Sequence, residues 1–277
     1  MDPFDPDLLL GETPFAIFDV ETTGLSPAYG HRVCEVGCLR LLGGEVVGRF
    51  ESLVDPGRPV SAGAYRVNRI SADMLLDAPP FEEIAKSLLA EMDSAVLVAH
   101  NAPFDLGFLA AELEIAQLLP PEGPVVDTLA LSRRAYSFAR NGLQAVASAL
   151  GVEAGTAHRA MGDVWTTSQL LEQILLDLDR RWGVTTLDGL LDFQGGSIPY
   201  PLPNVLPLPP AISEALERRG QVHMRYVDAR GQETERAVRP LRVQERNGHL
   251  YLLAHCHRAG ELRTFRLDRV VEMAMED

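Results

Sequence analysis

Residues 15 to 24 read Phe15-Ala16-Ile17-Phe18-Asp19-Val20-Glu21-Thr22-Thr23-Gly24. An apolar run that gives way to acids before a glycine predicts a buried strand over residues 15–18. Strand side chains alternate with a period of two, so Asp19 and Glu21 project from one face at its end. Two carboxylates held close together repel, and the pair is tolerated when a cation sits between them or one takes up a proton. A hard divalent ion such as Mg²⁺ or Mn²⁺ is the natural guest for such oxygens. A lone Asp-x-Glu reads more readily as a solvated strand end, so the meaning of this one depends on what the rest of the chain brings to it.

The 277 residues, 46% of them hydrophobic, suffice for one large domain and a small one. No apolar run approaches the ~20 residues that span a bilayer. The acidic start Met1-Asp2-Pro3-Phe4-Asp5-Pro6-Asp7 lacks the basic-then-apolar order of a signal peptide. A cytoplasmic protein with no membrane partner is therefore expected. Three cysteines without framework spacing fit a reducing compartment, with Cys34 and Cys38 as buried free thiols. The net charge of −14 is unevenly spread: residues 211–277 carry 12 arginines against 11 carboxylates, leaving 13 basic and 28 acidic residues before them. A protein that grips long nucleic acid through its phosphates is usually basic on the binding face. Phosphate chemistry in the first part must therefore lean on metal ions and a few local donors.

Two strands, 33–42 and 46–54, joined at Gly43-Gly44, follow the first strand as an antiparallel meander. Pro79-Pro80 opens a helix of about thirteen residues from Phe81, with Ile84, Leu88 and Leu89 at helical spacing. Residues 95–99 form a short apolar run, expected as a buried parallel strand. His100-Asn101-Ala102-Pro103-Phe104-Asp105-Leu106-Gly107-Phe108-Leu109 comes next, and Pro103 suits a first helical turn. Asp105 thus lies near a helix start facing the carboxyl end of a strand, the edge where open α/β sheets bind ligands. Residues 125–129 read as a further strand leading into a helix capped by Asp127, and 141–150 as a helix between Asn141 and Gly151. His158 and Asp163 are five residues apart, about 140° on a continuous helix, so His158 belongs to the loop or first turn and Asp163 to the helix body.

Three motifs in order, Phe18-Asp19-Val20-Glu21-Thr22-Thr23-Gly24-Leu25, His100-Asn101-Ala102-Pro103-Phe104-Asp105 and His158-Arg159-Ala160-Met161-Gly162-Asp163, resemble the DnaQ-type 3′ to 5′ exonucleases of the DEDDh class. That group includes the proofreading subunits of bacterial replicases. The resemblance covers about residues 13 to 180 and implies an α/β, ribonuclease H-like fold: a five-stranded mixed sheet flanked by helices. It implies two metal ions, Mg²⁺ or Mn²⁺, with Asp19 bridging them, Glu21 and Asp163 on the first, and Asp105 helping to place the second. His158 would be the general base, and Thr22, Leu25, Asn101 and Phe104 would contact the terminal nucleotide. Arg159 stands where a related subclass carries a tyrosine, which favours the histidine subclass. Asn68-Arg69-Ile70 replaces a His-Gly-Ile common among relatives and is expected to be structural.

Ile198 to Pro210, Ile-Pro-Tyr-Pro-Leu-Pro-Asn-Val-Leu-Pro-Leu-Pro-Pro, favours an extended polyproline path of about 3.1 Å per residue, roughly 40 Å in all. A short helix over 211–219 and strands over 221–227, 236–244, 249–257 and 261–267, broken at Gly231, Gly248 and Gly260, predict a small antiparallel barrel. Arg239-Pro240-Leu241, Gly248-His249-Leu250-Tyr251-Leu252-Leu253-Ala254-His255-Cys256 and Arg263-Thr264-Phe265-Arg266-Leu267-Asp268-Arg269 resemble a WYL domain, with Leu250 where the signature tryptophan stands. The resemblance covers 211–275. It implies an Sm-like β-barrel that senses a ligand, a nucleotide or nucleic acid. Arg263, Arg266 and Arg269 could offer a phosphate-binding face or a solvated edge balanced by nearby acids. His255 and His257 face away from Cys256 on a strand, which argues against a metal site there.

The expected organisation is an exonuclease domain over 1–185, a proline-rich linker over 186–210 and a WYL-like domain over 211–277. The expected function is metal-dependent 3′ to 5′ trimming of single-stranded nucleic acid, DNA before RNA, possible partners being a polymerase or repair complex. An RNA-trimming enzyme, or a ligand-responsive regulator that uses the same fold to bind nucleic acid, is the alternative.

Overall fold

The computed structural model describes residues 4–200, 208–228, 232–246 and 249–275. In chain order the elements are β1 (Phe15–Thr22), β2 (Val33–Leu42), β3 (Glu45–Leu53), α1 (Ala62–Asn68), α2 (Ala72–Leu75), α3 (Phe81–Met92), β4 (Val96–Ala99), α4 (Ala102–Ile115), β5 (Val125–Asp127), α5 (Thr128–Ala135), α6 (Leu143–Leu150), α7 (Ala160–Trp182) and α8 (Leu187–Gln194). They are followed by α9 (Pro210–Arg218), β6 (Val222–Val227), β7 (Glu233–Arg246), β8 (His249–Cys256), β9 (Glu261–Arg266) and β10 (Val270–Met275).

β1 runs through the centre of a mixed sheet ordered β3-β2-β1-β4-β5, antiparallel to β2 and parallel to β4. The meander, the short parallel strand at 95–99 and the α/β class read from the sequence are all present. Both faces of the sheet are covered, which is why β4 and the first four residues of β1 are continuously apolar. Phe81, Leu88, Leu106 and Phe108 of α3 and α4 build the core on one face. Val164, Leu170, Ile174 and Leu178 of α7 build the other, joined by Leu131 of α5 and Val146 of α6.

One local expectation is corrected, and two gain detail. The cap of α6 is Gly142 rather than Asn141, whose side chain is instead buried. The stretch 125–129 is a strand leading into a helix as expected: β5 ends at Asp127, whose carboxylate accepts the Leu129 N–H at 3.0 Å and caps α5. The stretch 186–210 begins with a helix, α8, whose Leu187 and Leu190 are buried in the first unit's core, ahead of the extended path expected from Ile198.

The second unit is an antiparallel sheet ordered β10-β6-β7-β8-β9, with Ile212 and Ala215 of α9 in its core. Its last strand, β10, was not anticipated. β9 and β10 are linked by a 3-10 turn over Leu267–Arg269, and no pairing between them closes the sheet among the described residues. Gly231, Gly248 and residues 201–207 of the proline-rich stretch lie outside the described residues. Among those described, no helix is long and apolar enough to cross a membrane, and Cys34, Cys38 and Cys256 are free and buried.

Candidate active site

Alternation along β1 sets the geometry of the site. Ala16, Phe18 and Val20 enter the core under α3 and α4, while Phe15 and Ile17 enter the core under α7. The same period carries Asp19 and Glu21 onto the α7 side, where α7 presents Asp163 in its first turn. α7 can come this close because residue 37, opposite Asp19 on β2, is a glycine. A Cβ there would lie 2.9 Å from the Met161 nitrogen.

Asp105 arrives from the other side of the sheet. The parallel pairing of β1 with β4 ends at Ile17, which leaves the β1 edge beyond it without a strand partner. The Val20 N–H fills its need there by donating to Asp105 Oδ1 at 3.2 Å. Asp105 is buried in the first turn of α4, where the helix dipole favours an acid.

His158 precedes α7 in a left-handed backbone conformation, φ 59°. Its N–H donates to Asp163 Oδ2 at 2.9 Å, and the Gln144 amide of α6 donates to Asp163 Oδ1 at 3.0 Å. The imidazole is exposed at the rim. Donor atoms of Glu21, His158 and Asp163 all lie within 4.8 Å of one another.

Burial and mutual repulsion shift every carboxylate here toward its protonated form. Asp19 is held well above the usual range by burial first, then by Asp105, Glu21 and Asp163. Glu21 is raised to about 8 by burial, then by Asp163 and Glu35, against an Asn68 hydrogen bond. Asp105 and Asp163 are raised chiefly by burial, opposed by the N–H groups that bond them. Among the described residues no lysine or arginine pairs with any of the four; the Arg159 guanidinium nearby is taken by Glu35. This is a donor set of hard oxygens lacking the positive charge that would let all of them ionise, which fits a divalent cation.

All five residues expected to carry chemistry line one cavity of about 630 Å³, and Thr22, Leu25, Asn101 and Phe104 line it too. Thr22 Oγ1 donates to the Gly24 carbonyl at 2.6 Å. Asn101 sits at φ 71° with its N–H on Asp127 Oδ1 at 2.8 Å, and Phe104 lies 5.1 Å from Phe108. The three tail arginines are not brought together. Arg263 and Arg266 lie three apart on β9, on opposite faces, with Arg263 beside Glu261 at 2.8 Å. Arg269 is the last residue of the turn Leu267–Arg269 and lines the same cavity as the carboxylates.

Sequence reasoning missed several supporting residues. Glu35, directly opposite Glu21 and buried, binds Arg159 at 2.5 Å and accepts the Ala160 N–H at 2.9 Å, so it anchors the start of α7. Gln144 orients Asp163. His100, pushed down to about 4 by burial, stays neutral: its Nε2 donates to the Asn141 carbonyl at 2.8 Å, and Nδ1 accepts from the Thr128 hydroxyl at 2.9 Å. Asn68 donates to the Thr22 carbonyl at 3.3 Å, which shows a structural use for the Asn68-Arg69-Ile70 segment. The spacing of 14 residues between Glu21 and Glu35 across a Gly-containing meander was the available hint for Glu35.

Comparison with known proteins agrees with this geometry. Residues 16–171 match the model of the RNase_T exonuclease family, and residues 208–275 match that of the WYL domain. The DNA polymerase III PolC-type of Bacillus cereus is 38% identical over 193 residues, 69% of this chain but 13% of that protein. Its counterpart in Listeria monocytogenes is 32% identical over 197 residues, 71% of this chain and 14% of that protein. The chain therefore spans about an eighth of the length of these relatives. Among solved structures, exonuclease X in complex with 5′ overhanging duplex DNA is 26% identical with a TM-score of 0.51, covering 65% of this chain and 99% of that one. Escherichia coli exonuclease I in complex with a dT13 oligonucleotide, 16% identical, shares the fold with a TM-score of 0.56 over 87% of this chain and 55% of its own.

Proposed function

The chain belongs to the RNase_T exonuclease family, and from that premise we propose that it is a metal-dependent 3′ to 5′ exonuclease acting on single-stranded nucleic acid, DNA in first place. The observation that carries this reading is the convergence of Asp19, Glu21, Asp105 and Asp163 in one cavity, with no basic partner among the described residues and with His158 at its rim. Asp19 stands centrally and would be shared by two ions, Mg²⁺ or Mn²⁺, with Glu21 and Asp163 on one and Asp105 toward the other. Bound divalent cations supply charge stabilisation for the attacking and leaving oxygens of an in-line displacement.

The chain's own residues do the rest. His158, exposed to solvent and tied through its backbone to Asp163, takes the proton from the water that attacks the terminal phosphodiester. The 3′ oxygen of the penultimate nucleotide leaves, and a nucleoside 5′-monophosphate is released. Thr22, Leu25, Asn101 and Phe104 position the terminal nucleotide, Phe104 through its ring. Glu35 and Gln144 keep α7 and Asp163 in place. For domain limits, the reading assigns 1–185 to the nuclease, 186–210 to a connecting stretch and 211–277 to the WYL-like domain. The packing of Leu187 and Leu190 of α8 against the first unit's core supports carrying the nuclease through α8.

The order of the second sheet, with its last strand returning beside its first, supports reading it as a small Sm-like β-barrel. Its ligand would be a nucleotide or nucleic acid. The likeness to polymerase III proteins supports a cytoplasmic enzyme working beside a polymerase or in repair. The test is incubation of 5′-labelled single-stranded DNA and RNA with Mg²⁺, Mn²⁺ or EDTA. A metal-dependent ladder shortening from the 3′ end is expected, absent in Asp19→Ala and His158→Ala. Binding of both polymers without cleavage in either metal would sink the enzymatic reading.

A further inference from the structure

The cavity that holds the catalytic carboxylates does not belong to the first unit alone. Asp19 and Asp105 line it from the first unit, and Ser213 and Glu214 of α9 with Arg269 and Glu272 line it from the second. The two units touch on both rims. On one, Gly63 of α1 lies so close to the Val271 carbonyl that any Cβ would overlap it. Beside it, Arg66 pairs with Glu272 at 2.8 Å, and Glu272 also holds Arg225 at 3.1 Å. On the other rim, Arg133 of α5 pairs with Glu217 at 3.0 Å, and Arg218 donates to the Phe138 carbonyl at 3.1 Å. The second unit thus bridges the cleft as a second jaw. The space left between, about 630 Å³, is of the size that encloses a small ligand or a strand end.

A phosphate backbone entering this space meets an acidic floor and needs cations on the walls. Arg133 lines the cavity but is engaged by Glu217. Arg269 lines it half-buried, and no carboxylate pairs with it among the described residues. A guanidinium held at a cleft wall without a carboxylate presents its fork of donors to whatever anion enters.

We propose that the cavity between the two units is the strand-binding cleft of the nuclease, and that Arg269, from the second unit, holds a backbone phosphate of the single strand within it. This rests on the exonuclease reading. It makes the second unit part of the substrate site rather than a separately tethered binding module.

The test uses the full chain with a 5′-labelled single-stranded oligonucleotide at several salt concentrations, comparing wild type with Arg269→Gln, Arg269→Lys and Arg258→Gln. Arg258 is an exposed arginine of the same unit outside the cavity and controls for the change in net charge. For Arg269→Gln, KM is expected to rise about tenfold, as for loss of one charged hydrogen bond, with kcat falling less. The slope of log(kcat/KM) against log salt is expected to drop by about 0.7, one phosphate contact on a single strand. Arg269→Lys should recover most of the KM, and Arg258→Gln should behave as wild type. A wild-type KM and salt slope in Arg269→Gln would overturn the proposal, as would a gain in kcat/KM, which would mean that the second unit obstructs the site. Absence of cleavage by the wild type is the failure of the exonuclease reading. Fluorescence anisotropy of the same strand then decides the inference separately. Weaker binding by Arg269→Gln than by Arg258→Gln supports it, and equal binding overturns it.

Discussion

In the second sheet Arg225 of β6 sits between Glu233 at 2.6 Å and Glu272 at 3.1 Å, and Arg263 of β9 lies beside Glu261 at 2.8 Å. At the open end of β1 in the first sheet, Asp19, Glu21, Asp105 and Asp163 share a buried space with no arginine or lysine pairing any of them among the described residues. Yet the first unit pairs charge readily elsewhere: Glu35 holds Arg159, and buried Glu112 takes Arg32 through two bonds at 2.7 and 2.8 Å. Charge with a structural task is matched on the spot. Charge left unmatched raises the cost of folding and persists where a guest from solution completes it. Arg269 is the second unit's counterpart to the unmatched acids, and it faces the same cavity.

The strongest way to break this contrast is to neutralise the acid in the middle of the unmatched group. Asp19→Asn is expected to lower kcat by about 1,000-fold or more, the scale seen when transition-state charge stabilisation is removed. In EDTA the same variant should melt at a higher temperature than wild type, because one repelling carboxylate is gone. A lower melting temperature in EDTA would mean that the acids are not in conflict. His158→Gln is expected to reduce kcat by about 100-fold or more. Calorimetric Mn²⁺ binding should persist, since the carboxylates remain.

Matched charge should respond differently. Glu35→Gln leaves the partly exposed Arg159 with a neutral partner and weakens the anchor at the Ala160 N–H, and a loss of about 1.5 kcal/mol in denaturant unfolding is expected. Activity should fall only as far as α7 shifts, less than in Asp19→Asn. A pH series in EDTA gives a smaller, graded signal. Folded Glu21 keeps its proton to about 8, while in the unfolded chain it loses it near its ordinary value of 4.5. The unfolded state therefore releases a proton across that window and gains from rising pH. Stability should be full below about 4.5 and decline toward 8, by at most about 1.4 kcal/mol per pH unit for each such proton. Saturating Mg²⁺ should flatten the decline; a flat profile in EDTA would remove the conflict on which the metal reading leans.

What was legible in the sequence was what depends on neighbours along the chain. The alternation of β1 put Asp19 and Glu21 on one face, the Pro103 turn put Asp105 at a helix start, and Asp127 was readable as a cap because it bonds a nitrogen two residues on. Asn141 had the right composition for a cap, but the helix starts one residue later at Gly142, while Asn141 is buried with its carbonyl held by His100, a partner 41 residues away. Glu35 acquires its function from strand register opposite Glu21 and from a helix that begins 125 residues later. Only the 14-residue spacing across the meander hints at the first relation, and nothing along the chain signals the second. β10 went unseen because Val270-Val271-Glu272-Met273-Ala274-Met275 has no clear alternation, and its place is fixed by pairing with β6. The sharing of one cavity by Arg269 and the first unit's carboxylates depends on how two units meet, which no spacing within either can express.

The smallest effect belongs to the Glu261–Arg263 pair on β9. Its side chains remain 59% and 50% exposed, so water already solvates both charges and the ion pair adds little to what each gains alone. The two residues are also only two apart on one strand, so their contact closes no loop and orders little chain. Glu261→Gln is therefore expected to change stability by no more than about 0.5 kcal/mol, and less in high salt. It should leave strand degradation unaltered, because neither residue lines the cavity. A denaturant midpoint and a strand-degradation rate together decide this. A marked loss of activity with unchanged stability would show that Arg263, once freed of its acid, matters to the strand after all. The boundary between matched and unmatched charge in the second unit would then have to be moved from the turn at Leu267–Arg269 back onto β9.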